Sequence, residues 1–127
     1  GSPENDASVV GVAEVRGLRV LLAGDAEPAG QSVALRSAAA HGVSLNAHVL
    51  KLPHHGSSRQ EPRFFAASGA ALAVASSGLD NDYGHPAAST VQLAQRQGME
   101  VVRTDQHGSI AVGIAGERLV VRTWRGG

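Results

Sequence analysis

Short apolar runs alternate along the chain with clusters of Gly, Pro and small polar residues, and the spacing of those interruptions predicts the elements. Ser8–Val15 and Leu18–Ala23 are Val- and Leu-rich and separated only by Arg16-Gly17, the pattern of a β-hairpin turning at the glycine. The second run is almost continuously apolar, which predicts a strand buried on both faces. Pro28 suits the first turn of a helix and Gly42 its stop, so a helix is predicted over about Ala29–Ala40, continued to that stop through Val33, Leu35 and the Ala38–Ala40 cluster. Ala47–Leu52 reads as a strand closed by Pro53, which has no N–H to donate. A short helix over Pro62–Ala67, with Phe64 and Phe65 on its apolar side, precedes a buried strand over Ala71–Ala75. A third helix runs from about Ser89 to Gln97, with Val91, Leu93 and Ala94 inward and Gly98 as its stop. Strands over Glu100–Thr104, Ser109–Ile114 and Leu119–Trp124 end the chain. Strands joined through helices and flanked by hairpins argue for an α/β (α+β) domain, a mixed β-sheet with about three helices on one side.

The chain's 127 residues fit one domain, here placed at residues 7–125 behind a polar lead-in at residues 1–6. Gly1-Ser2 has the form of a cloning remnant, so the chain is expected to be a piece of a longer polypeptide. Eleven basic and eleven acidic residues cancel, which removes any global attraction for nucleic acid and leaves anionic substrates to a local site. Without cysteine there is no disulfide framework or thiolate site, and His, Asp and Glu remain as the strong metal ligands. Apolar runs such as Ala70–Ala75 are far shorter than the roughly 18 to 20 residues that cross a bilayer, so a soluble chain without a signal peptide is expected.

Nearly all the unusual polar residues fall in four loops that follow predicted buried strands: Gly24-Asp25, His54-His55-Gly56-Ser57, Asn81-Asp82-Tyr83-Gly84-His85-Pro86, and Arg103-Thr104-Asp105. Carboxyl ends of parallel strands share one sheet edge, so loops about thirty residues apart can form one site. Asp25, behind a strand and a glycine, is presented on a stiff support where it can bridge cations, or it caps the helix that follows. In extended backbone the side chains of His54 and His55 would point to opposite sides, so one can reach a metal while the other faces substrate or core. His85, between Gly and Pro in a loop with Asn81 and Tyr83, suits a general acid near neutral pH. His41 complements a helix C-terminus, and His48 and His107 read as structural. Two Phe, one Tyr and one Trp are too few for a single-strand stacking platform.

In order and spacing, Leu21-Leu22-Ala23-Gly24-Asp25-Ala26-Glu27, Val49-Leu50-Lys51-Leu52-Pro53-His54-His55-Gly56-Ser57, Asn81-Asp82-Tyr83-Gly84-His85-Pro86, and Val102-Arg103-Thr104-Asp105 with Gly108 closely resemble the second half of the metallo-β-lactamase-like domain of the ComEC/Rec2 competence proteins. The resemblance runs from about Asn5 to Ile114. It implies half of a metallo-β-lactamase αββα sandwich with two divalent cations, zinc or manganese, at one edge. It assigns Asp25 and His55 as metal ligands and His54 and His85 as catalytic residues facing substrate and leaving group. Ser57, Asn81 and Tyr83 are the expected substrate-binding residues. The implied activity is phosphodiester cleavage by a nuclease linked to DNA uptake and natural transformation. The implied partners are DNA and a membrane channel in the same parent polypeptide, a bacterial inner-membrane protein with this domain outside the cytoplasm.

The sequence departs from that family in lacking its His-x-His-x-Asp-His motif, which precedes the matched region. A two-metal site needs about six protein ligands, of which this chain offers two or so. The isolated chain is therefore expected neither to hold the dinuclear centre tightly nor to turn over substrate. His48 stands where relatives usually carry Asp. A sheet face that should meet the missing half must be exposed, covered by the chain's own ends, or buried by another copy, and self-association through it is expected. Two other readings remain at this level: a phosphocholine or other small phosphodiesterase of the same superfamily, and a non-catalytic binding or structural domain.

Overall fold

The computed structural model describes residues 10–24, 26–76, 86–104 and 109–124, apart from the side chains of His54, His55 and Ser109. Its elements are β1 (Gly11–Val15), β2 (Leu18–Leu22), α1 (Pro28–His41), β3 (Val49–Lys51), a 3₁₀ turn (Pro53–Gly56), α2 (Pro62–Ser68), β4 (Leu72–Ala75), α3 (Ala88–Arg96), β5 (Glu100–Arg103), β6 (Ser109–Ala115) and β7 (Arg118–Trp124). Backbone chemistry accounts for the boundaries. Arg16 and Gly17 both take positive φ, +51° and +86°, the signature of a two-residue hairpin turn whose twist matches its strands. Pro28 and Pro62 open their helices, and Gly42 closes α1 at φ +66° with its N–H on the carbonyls of Ala38 and Ala39.

The mixed sheet is ordered β1-β2-β3-β4-β5, with β1 antiparallel to β2 and the other pairs parallel. Strands adjacent in sequence are therefore adjacent in space, and each parallel connection passes through a helix or helical segment. Alternation along the strands divides the core into two layers. Leu21, Leu50, Ala73 and Val101 pack with Phe64, Phe65, Ala94, Ala34, Leu35 and Leu93 of the helices. Val20, Val49, Leu72, Val74 and Val102 face the other way and meet Ile110, Val112, Leu119 and Val121 of the β6–β7 hairpin, a separate two-stranded sheet. The second face of the sheet is thus covered by the chain's own C-terminal hairpin, one of the three outcomes set out for it above.

Two expectations are corrected. β2 is covered on both faces only in part: Leu21 packs against the helices and Val20 against the hairpin, but Leu22 at its end, opposite Gly11, is 39% exposed. Along α1 the buried residues are Gly30 and Gln31, whereas Val33 points outward at 52% exposure. The histidine doublet lies in a 3₁₀ turn rather than in extended backbone, because Pro53 ends β3 with a φ suited to a helical turn. The two-sided alternation of a strand therefore does not apply to it. The predicted lead-in and the start of the first hairpin lie outside the described residues.

Candidate functional site

Because β2 to β5 run parallel side by side, their carboxyl ends share one edge. From that edge leave the segments toward Asp25, the histidine turn, residues 77–85 and residues 105–108. Asp25, Asn81, Tyr83, His85 and Asp105 lie outside the described residues, and of His54 and His55 only the backbone is described. The convergence can still be followed through the described residues on either side of them.

After β2, Gly24 takes φ +53° and the Ala26 N–H donates to the Ala23 carbonyl at 3.0 Å, turning the chain into α1. Glu27 follows as the N-cap, its carboxylate buried and 3.7 Å from the Arg59 guanidinium. After β3, the Leu52 N–H still reaches the Val74 carbonyl at 2.9 Å before the chain folds into the Pro53–Gly56 turn. Gly56 sits at φ +79° against Pro86, and its carbonyl accepts the Ala87 N–H at 2.7 Å. A Cβ at Gly56 would lie 2.5 Å from the Pro86 Cβ and 2.9 Å from its Cα. Only a glycine allows the histidine turn and the start of α3 to approach so closely. The buried Thr90 hydroxyl of α3 donates to the Ser57 carbonyl at 2.5 Å.

Two glutamines complete the connections. Gln60 Nε2 donates to the Pro53 carbonyl at 2.9 Å and to the Ser57 carbonyl at 3.0 Å, spanning the doublet from both sides. Gln31, fully buried, donates through Nε2 to the Ala26 carbonyl and to Gln60 Oε1, both at 2.8 Å. Its Oε1 accepts the Glu61 N–H at 2.8 Å. Segments 26–31, 53–61 and 86–90 are therefore bonded to one another at the sheet edge that carries the candidate residues.

The structure brings Ser57 into this assembly with its Oγ buried and without a hydrogen-bond partner among the described residues. Among the described residues there is no group of three His, Asp or Glu that could hold a metal. The donors that the resemblance assigns, Asp25 and His55, have the chemistry to hold a divalent cation and lie outside that set of residues; a two-cation centre would draw its other ligands from elsewhere. His48 precedes β3 rather than lying in it. Its Nδ1 accepts the Arg19 N–H at 3.0 Å, a role that a carboxylate oxygen could also fill. His41 lies in the last turn of α1, where its Nδ1 is 2.8 Å from the Ser37 carbonyl. A groove of about 560 Å³ between β1 and α1, lined by Val10, Val12, Arg19, Val33, His41 and Leu45 among others, contains none of the candidate residues.

Gln31, Gln60 and Thr90 escape a reading of the sequence alone. The one available signal is that Gln31 stands three and four residues before Ala34 and Leu35, in phase with the inward face of α1. Gln60 carries no comparable signal.

No family model matches the chain. It is 34% identical over 108 residues to ComE operon protein 3 of Bacillus subtilis, covering 84% of this chain and 13% of that protein. It is 32% identical over 99 residues to competence protein ComA of Neisseria gonorrhoeae, covering 77% of this chain and 14% of that protein. The chain spans only about an eighth to a seventh of the length of these relatives. It is thus a homologue of one segment of the competence proteins.

Proposed function

We propose that this chain is the part of a DNA-uptake competence protein that supplies one edge of a phosphodiester-cleaving site in a metallo-β-lactamase-type domain. The observation that carries the proposal is the bonding of the Ala26, histidine-turn and α3 segments to one another at the carboxyl edge of β2 to β5. A rigid edge of this kind suits ligands that must keep a fixed separation while substrate comes and goes. Asp25 and His55 would hold part of the metal centre, with zinc or manganese equally suited to His and carboxylate donors. The remaining ligands would come from elsewhere in the parent polypeptide. Bound there, a pair of divalent cations would supply an acidified water and a positive charge opposite the leaving oxygen. His54 would face the substrate phosphate, and His85 would give a proton to the leaving oxygen. Ser57, Asn81 and Tyr83 would hold the substrate near them. DNA is the proposed substrate, and a membrane channel in the same polypeptide the proposed neighbour. Among the described residues no helix is long and apolar enough to cross a membrane.

The test uses the full-length competence protein carrying this segment. Single-stranded DNA and a bis-aryl phosphate are offered with Mn²⁺ or Zn²⁺, for the wild type and for Asp25→Ala and His55→Ala. Metal-dependent cleavage lost in both variants is the expected result, and cleavage that survives both refutes the assignment. The 127-residue chain alone is expected to cleave neither substrate. A non-catalytic binding module is favoured by one observation, the even balance of eleven basic and eleven acidic residues, which offers DNA no net attraction. That reading predicts that Asp25→Ala leaves transformation intact.

A further inference from the structure

We propose that Gln31 and Gln60 form a two-amide positioning relay that holds the His54–His55 turn at a set separation from the segment carrying Asp25. The relevance of that separation to metal binding rests on the function proposed above, whereas the relay itself stands on its hydrogen bonds.

The orientation of both amides is determined by what surrounds them. Gln60 Oε1 receives a hydrogen from Gln31, so its NH₂ group is directed at the carbonyls of Pro53 and Ser57, one before and one after the doublet. Gln31 Oε1 receives the Glu61 N–H, so its NH₂ group is directed at the Ala26 carbonyl and at Gln60. Each NH₂ has two hydrogens, and each hydrogen has its own acceptor. The chain of bonds therefore runs without a gap from Ala26, the residue after Asp25, through two side chains to both ends of the histidine turn.

No other residue type completes this circuit. Glu keeps the shape but has no hydrogens to donate, Met keeps the length but no polar atoms, and Asn is one methylene short. Gln31 is wholly removed from solvent, so water cannot replace a bond it loses. A residue needed only to fill space at that position of α1 would more cheaply be apolar, as Ala34 and Leu35 are. What the amide adds is a link between two loops that belong to different strands.

The test is amide hydrogen exchange on the 127-residue chain, comparing wild type with Gln31→Met and Gln60→Met. If either Met variant does not fold, Gln31→Ala or Gln60→Ala takes its place, since each removes the same donors without placing a charge among the carbonyls. The relay predicts that a change at either glutamine accelerates exchange in both segments, 24–31 and 53–61. The expected size is at least about tenfold, as for a local opening that has lost one net hydrogen bond. Residues 72–75 and 100–103 of the neighbouring strands should keep their protection. Faster exchange confined to the substituted segment, or spread evenly over the chain, overturns the proposal.

A second measurement titrates Zn²⁺ alone against a chromophoric chelator in the full-length protein. There the Gln60→Met variant is expected to bind about 10- to 100-fold more weakly, as for loss of a group that orients a ligand. Coupled exchange with unchanged zinc affinity would overturn the link to the metal site. If the wild-type protein binds no zinc, the functional reading fails, and the exchange experiment still decides the relay.

Discussion

Gly56 is where the structure makes its most demanding claim on a single residue. Replacing it with alanine meets two separate penalties. At φ +79° an L-residue is held in the left-handed region, at a cost of about 1 to 2 kcal/mol. The new Cβ would also stand 2.5 and 2.9 Å from two atoms of Pro86, well inside the roughly 3.5 to 4.0 Å of an ordinary carbon–carbon contact. Pro86 is a ring fused to backbone and cannot rotate away, so the segment leading into α3 must shift, for about a further 1 to 3 kcal/mol. Gly56→Ala should therefore destabilise the chain by about 2 to 5 kcal/mol. Gly42→Ala is the matched control, because Gly42 has a similar φ of +66° but a Cβ added there would meet nothing within 4 Å. Urea unfolding of both variants, with m-values compared to exclude a change in the unfolded state, isolates the contact with Pro86 as the difference between them. A difference of about 1 to 3 kcal/mol is expected. If the two variants lose the same stability within about 0.5 kcal/mol, a typical surface effect, the close approach of the histidine turn to α3 is refuted.

Other expectations use the same assay. Thr90→Val keeps the shape of a fully buried side chain but removes the donor to the Ser57 carbonyl, and should cost about 1 kcal/mol; no loss would mean that this bond does not hold α3 to the turn. Leu50→Ala, at a wholly buried position, should cost about 2 to 5 kcal/mol, whereas Val33→Lys, at an exposed position, should stay within about 0.5 kcal/mol. Equal losses at the two would contradict the orientation of α1. His48→Asp retains an acceptor for the Arg19 N–H and should be milder than His48→Val, which strands that donor at a cost of about 1 kcal/mol.

The sequence by itself determined the elements and nearly all their limits, because those limits depend on local backbone chemistry. Pro28 and Pro62 can open helices but not continue strands, Gly42 can take the left-handed conformation that ends a helix, and Arg16-Gly17 can turn a hairpin. The same local logic placed the histidine doublet at the end of a strand. It also implied that loops following parallel strands would meet at one edge, as the ends of β2 to β5 do.

What the sequence left open depends on contacts between distant residues. The burial of Gln31 in α1 depends on the arrival of Gln60 and Glu61, about thirty residues away, to satisfy its amide. The cover over the second sheet face came from β6 and β7, whose apolar residues alternate in a way that fits many partners. The 3₁₀ form of the histidine turn depends on Gln60 bonding both of its ends and on Pro86 packing against Gly56. Local pattern determines which conformations a segment can adopt, but only tertiary packing supplies the partners that a buried polar group requires, and in this chain those partners hold the candidate site together.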